Sequence, residues 1–275
     1  MATPSVTLSA FALALKGTGV AAGAAGAAGV AIAAPSPAPP YVAAVLNAAS
    51  FQLPGLVAPL GMVSIFGSGL ADSQQSVYSV PFPTTLAGAQ LMIGGQPLPL
   101  FYASDGQINA IVPTAIAANE HDQLIVVRDT TQSAPADLLV ADNNPGIFTF
   151  NQSGSGQGSI LNALTGALAA PAGTAPGSAP VTAGNYVSIY LSSLGAVSNP
   201  PADGNPAGSN SMTNITPTVT IGGAPAAVSY SGLAPGEVGV YQINAIVPAG
   251  VTGNAVPVVV TLGNGISNTV TVAIQ

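Results

Sequence analysis

An all-β chain of two tandem sandwiches behind an N-terminal arm is what the sequence predicts, on three observations. Gly 33 and Pro 25 exceed one residue in five, a density of turn-formers suited to many short strands. The heptad QINAIVP occurs twice, at Gln107–Pro113 and Gln242–Pro248, 135 residues apart, about one small domain. No run of eighteen strongly apolar residues follows residue 40, so the body reads as strands and turns rather than membrane helices.

Composition excludes several function classes. Only 4% of residues are charged, against roughly 25% in an ordinary soluble domain. Lys16 and Arg128 are the two basic residues, against nine acidic ones. Nucleic-acid binding and anchoring to anionic lipid both need clustered Lys and Arg, which the chain lacks. With no cysteine there are no disulfides, thiolates or cysteine-based metal sites.

The duplication extends beyond the heptad. GMVSIFGSGL (Gly61–Leu70) matches NYVSIYLSSL (Asn185–Leu194), and AQLMIGGQPLPLFY (Ala89–Tyr102) matches PTVTIGGAPAAVSY (Pro217–Tyr230). After the heptads, QLIVVRDTTQSAPADLLVAD (Gln123–Asp142) matches VPVVVTLGNGISNTVTVAIQ (Val256–Gln275). Four matches in one order mark a repeat, and the drifting offset places length differences in loops such as Ser231–Val240.

Each matched segment reads as a strand. Period-2 alternation puts Ile108, Ala110 and Val112 on the core face of the first heptad, with Gln107, Asn109 and Ile111 opposite. In the second, Ile243, Ala245 and Val247 point inward. Pro113 and Pro248 end these strands, because proline donates nothing to a ladder. IGGQP and IGGAP each close a strand on Ile, turn on Gly-Gly and leave through Pro. Six or seven short strands per half, with turn signals every 8–12 residues, predict immunoglobulin-like sandwiches. The expected divisions are 1–40 (arm and Pro-rich linker), 41–150 (first sandwich) and 151–275 (second sandwich).

NAASF (Asn47–Phe51), VSIFGSGLA (Val63–Ala71), PLPLFYASDGQINAIVP (Pro97–Pro113), NNPGIF (Asn143–Phe148) and YQINAIVP (Tyr241–Pro248) resemble an uncharacterised C-terminal domain family named after Solibacter. The resemblance covers roughly Tyr41 to Gln275. It implies an exported bacterial protein, since members typically end large exported chains, and it supplies no catalytic residue. IGGxP and xVP also resemble, more weakly, immunoglobulin-like modules of the IPT/TIG type.

The first forty residues differ from the rest. A signal peptide is the weaker reading, because no basic residue precedes AFALAL and the tract after Lys16 is Gly/Ala-rich. Ser5–Leu15 reads instead as a strand, with Val6, Leu8 and small alanines on one face and Phe11, Leu13 and Leu15 on the other. Gly23, Gly26 and Gly29 recur at a spacing of three, and PSPAPP (Pro35–Pro40) forms a stiff extended linker. Val6, Leu8, Phe11, Leu13 and Leu15 are therefore the candidate assembly residues.

Catalytic constellations are thin. His121 in NEHD is the single histidine, and no GxSxG elbow or P-loop lysine is present. FGSGLADS (Phe66–Ser73) reads as a bulged strand end and NQSGSGQGS (Asn151–Ser159) as an interdomain linker. Asp105 and Glu237 precede the two heptads in different halves, too far apart by topology to act as a carboxylate pair. Asp137, Asp142, Asn143 and Asn144 offer oxygen ligands near the domain junction without a recognised calcium spacing. No enzyme activity and no cofactor are expected.

Charge-poor sheet edges lack the usual defence against strand pairing between molecules. Joined to an apolar arm, they predict β-augmentation, the arm of one subunit completing a sheet of the next. The function expected is an extracellular bacterial structural subunit, a homopolymer forming a filament, tube or surface layer. The alternative is a monomeric secreted adhesin or carbohydrate-binding module with a glycan or cell-surface partner, which an exposed aromatic platform would favour; Tyr78, Tyr186, Tyr190 and Tyr230 are too scattered in sequence to mark one.

Overall fold

The computed structural model describes residues 38–275; the candidate arm residues Val6, Leu8, Phe11, Leu13 and Leu15 lie outside them. The described chain is all-β, and no helix among its residues is long and apolar enough to cross a membrane.

In the first half the strands are β1 (Tyr41–Asn47), β2 (Met62–Ser68), β3 (Gln75–Ser76), β4 (Ala89–Ile93), β5 (Gln96–Pro97), β6 (Leu100–Ala103), β7 (Gln107–Ile111), β8 (Glu120–Arg128), β9 (Thr131–Gln132) and β10 (Ala136–Val140). They form two sheets, ordered β1-β2-β7-β6-β3 and β10-β8-β4-β5. Taken as strands A to G, the principal members read A-B-E-D against G-F-C, the strand order of an immunoglobulin sandwich.

The second half repeats this with β11 (Gly146–Ile147), β12 (Gly156–Gln157), β13 (Ile160–Asn162), β14 (Tyr186–Ser192), β15 (Thr218–Ile221), β16 (Ala224–Ala226), β17 (Val228–Leu233), β18 (Tyr241–Ile246), β19 (Gly253–Leu262), β20 (Gly265–Ile266) and β21 (Val270–Ile274). Its sheets run β11-β14-β18-β17, with β13 also on β14, and β12-β21-β19-β15-β16. The protein is two tandem immunoglobulin-like sandwiches from one duplication.

The heptads occupy the central E strands, β7 and β18. Their Val residues close each half alike: Val112 exchanges backbone bonds with Leu60 and Gly61, and Val247 with Gly184 and Asn185. In β18 the burial alternates as the period requires, with Ile243, Ala245 and Val247 inside and Gln242, Asn244 and Ile246 half-exposed. In β7 the alternation fails. Asn109 and Ile111, expected on the open face, are as buried as Ile108 and Ala110. The cause for Ile111 is the neighbouring sandwich, whose Gly239 lies so close that an added Cβ would fall 2.5 Å from Ile111 Cδ1.

Two further expectations are corrected. NQSGSGQGS is not a linker: Gly156 and Gln157 pair in parallel with Val270 and Thr271. Pairing with the second half starts earlier, at Gly146 opposite Ser192. The C-terminal match also shifts by one residue, because Ser133 caps the backbone N–H of Val126 as Ser267 caps that of Val260.

Sheet edges prove well covered despite the missing charges. Pro97 and Pro225 sit exposed in the edge strands β5 and β16, paired with Met92 and Thr220 on one side. Leu98 N donates inward to Leu91, so alternation turns the imide nitrogen of Pro97 outward, where no donor is left to recruit a strand. Val57 flanks β10, while Gly156–Gln157 and Val181 flank β21. Gln75–Ser76 lies beside β6 and Met212 beside β17. The edge of β1 is interrupted by a bulge between Val42 and Ala44 and crossed by Gly55 at the Val45 carbonyl. Covering segments, prolines and a bulge do what lysines do elsewhere.

Candidate interdomain cleft

The heptad amides bond within their own strands. Ser64 faces Asn109 across β2 and β7, and Ser188 faces Asn244 across β14 and β18. Gln107 Nε2 donates to Asn109 Oδ1 at 2.9 Å, and Gln242 Nε2 to Asn244 Oδ1 at 2.8 Å. In the second half Ser188 Oγ donates across the strands to the same Asn244 oxygen at 2.9 Å. In the first half Ser64 Oγ and Asn109 Nδ2 are buried with no partner, sealed from any ligand.

The other candidates do not converge. His121 Nδ1 lies 3.0 Å from Asp137 on an exposed strand surface. Asp105 Oδ1 accepts from Gly69 N at 3.1 Å, tying down its own loop far from Glu237. Asp142 accepts from Asn119 Nδ2 at 2.9 Å, and Asn144 Nδ2 donates to the Leu56 carbonyl at 2.8 Å. Among the described residues no three His, Cys, Asp or Glu side chains gather as a metal set. Asp137 stands apart from Asp142, Asn143 and Asn144.

Those last three residues instead build the joint between the sandwiches. Asn47 Nδ2 donates to the Asn144 carbonyl at 2.7 Å, while its Oδ1 accepts from Ala49 N at 2.8 Å. Asn144 N donates to Ser193 O at 2.9 Å, and Met62 N to Ser192 Oγ at 2.8 Å. On the opposite flank Thr114 N donates to Asp203 Oδ1 at 3.0 Å and Phe82 N to Gly204 O at 2.9 Å. Leu60, from the first half, packs into the hydrophobic core of the second. The joint thus carries polar contacts on two flanks and an apolar contact through Leu60.

Beside the joint lies a cleft of about 730 Å³. The 52–56 loop, the Ala141–Asn144 connection, Asn214–Ile215 and the Gly263–Ile266 turn wall it. Leu53, Ile215 and Ile266 line it and stand 81%, 66% and 64% exposed. Five asparagines share the lining, Asp142 is its single ionisable residue, and none of it is aromatic. Asn143 Oδ1 lies beneath this surface, buried against Gly265 with no hydrogen-bond partner. Sequence reading named Asp142, Asn143 and Asn144 but missed the cleft, because Leu53, Ile215 and Ile266 come from three loops distant in sequence.

The ends of the molecule complete the geometry. Pro40 continues the line of β1 beside Gly69, and Arg128 holds it there, donating to Gly69 O at 3.0 Å and Ala38 O at 2.9 Å. This is the end of the first sandwich away from the joint, since β1 reaches Asn47 at its other end. In the second sandwich Gln275 bonds Val181 beside Ala183 and Gly184, at the end away from Ser192. The arm's exit and the end of β21 therefore lie at opposite poles.

No protein-family model matches the chain, and no curated protein matches it. Among solved structures it is similar to the surface glycan-binding protein PbSGBP-B from Prevotella bryantii, at 13% identity, covering 83% of this chain and 41% of that one, with a TM-score of 0.27. A Bacteroides ovatus SGBP-B in complex with a mixed-linkage heptasaccharide gives 15% identity, 88% and 48% coverage and a TM-score of 0.36. Domains 5–6 of the S-layer protein SbsC give 13% identity, 86% and 98% coverage and a TM-score of 0.26. The chain spans less than half the length of the two glycan-binding proteins. The strand order described above carries the fold; these likenesses carry no function.

Proposed function

We propose that this chain is a non-catalytic, extracellular structural subunit of a bacterial surface, which assembles head to tail with its own copies through the N-terminal arm. The observation that supports this most directly is the polarity of the body: two sandwiches joined through several contacts, with Ala38–Pro40 at one pole and the end of the C-terminal strand at the other. A contact between unlike poles is heterologous, so copies add in one direction and form open filaments or layers where the rotation does not close. The near absence of charge favours association over repulsion. Covered sheet edges add a second support, because they suppress random pairing and leave the arm as the selective connector.

Electron microscopy of the full-length protein beside a variant lacking residues 1–37 tests this. Periodic filaments or sheets from the full chain that vanish on truncation are the expected result. Monodisperse particles from both would sink it. A glycan-binding module is favoured by clustered exposed aromatic rings; here Tyr41, Tyr78, Phe150 and Tyr186 are the exposed ones among the described residues, and none lines the cleft.

A further inference from the structure

We infer that the interdomain cleft is the acceptor for the Ser5–Leu15 segment of a neighbouring copy. The inference rests on the assembly reading above and names its contact surface.

Three features match occupant to site. The first is chemistry: Ser5–Leu15 carries no charge and places Phe11, Leu13 and Leu15 on one face, while the cleft presents Leu53, Ile215 and Ile266 to solvent. Covering these with apolar side chains removes exposed hydrocarbon from water, the driving term for association. The second is hydrogen bonding. An extended segment brings unpaired backbone N–H groups, and the asparagines lining the cleft offer side-chain carbonyls to receive them.

The third is reach and direction. Twenty-five residues separate Leu15 from Tyr41, enough for about 80 Å fully extended. A sandwich is about 33 Å tall, taking β19 with its 10 residues at the usual rise. In a head-to-tail row the arm starts beside the neighbour's second sandwich and needs to pass that one sandwich to reach its cleft. Ala38–Pro40 lie at the end of β1 away from the joint of their own chain, the pole that faces the next copy in such a row.

The chain has no cysteine, so introduced thiols report contact without background. Full-length Phe11→Cys is mixed with full-length Ile215→Cys, oxidised, and run on a non-reducing gel, with Tyr78→Cys, also exposed, replacing Ile215→Cys in a control. The expected result is a cross-linked heterodimer several-fold enriched over the control, and a ladder from the double variant. Separately, Leu53→Lys with Ile215→Lys should raise the concentration needed for assembly by about tenfold or more, since a charge cannot be buried there cheaply. An unchanged threshold overturns the proposal. Filaments formed without the enriched cross-link overturn this acceptor and leave arm-mediated assembly standing. Absence of any assembly by the full-length chain removes both. A cross-link confined to single chains of the double variant also overturns it, placing the arm in its own cleft.

Discussion

Asn47 and Asn144 show how much a side-chain amide does in a chain with few charges. Asn47 holds the carbonyl of Asn144 and Asn144 holds that of Leu56, fastening the connecting segment to the first sandwich, and each lies in a motif, NAASF or NNPGIF, plain in the sequence. Sequence marks such residues as special without saying for what, because their partners stand 97 and 88 residues away. Tyr241 is a second case. It is fully buried and its hydroxyl donates to Gly195 O, and burial pushes its pKa well above the ordinary tyrosine value. Tyr190 moves the same way, through burial and then the nearby charge of Glu237. Below about pH 10 both folded and unfolded chains keep these phenols protonated, and the stabilisation is intact. Above it the unfolded chain ionises first, so stability falls as pH rises. Denaturant titrations at stepped pH should show a flat profile up to that point and a decline beyond. Tyr241→Phe should make the decline shallower while costing about 1 kcal/mol at neutral pH for the lost hydrogen bond.

The strands themselves were largely legible, since VSI, IGGxP and QINAIVP carry their period and punctuation in the residues. What the period could not reveal was which faces a second layer would cover, and β7 lost its open face for that reason. Edges were harder still. Counting lysines suggested open ladders, but protection came from backbone segments and from the prolines of IGGQP and IGGAP. Replacing Pro97 and Pro225 with valine returns an outward N–H to each edge strand. The double variant should keep the sandwich, as both positions are exposed. Light scattering at matched concentration should detect increased, irregular aggregation, and a variant as soluble as the parent would show that these edges need no such guard.

For the molecule as a whole, duplication and division into two halves could be read from the sequence, while the joint could not. Nothing about LGM or SSL says that Leu60 enters the core of the second sandwich. That contact couples the halves, so the protein is expected to unfold as one cooperative unit. Leu60→Ala should cost about 2–5 kcal/mol and, in calorimetry, split one transition into two. A single transition at the parent temperature would mean that this contact is not what couples the halves.

The placement of the arm's exit and the cleft at opposite ends of the first sandwich has a mechanical meaning. Tension passed from that exit to a neighbour's arm seated at the joint runs along the strands of the first sandwich. The ladder bonds joining β1 to β2 are then strained together in shear, instead of parting one by one as in a zipper. Many bonds must fail at once before that sandwich opens, so rupture is governed by a high barrier to unfolding rather than by the small free energy that separates folded from unfolded. A material drawn from such units would yield first at its connectors, sparing the links themselves.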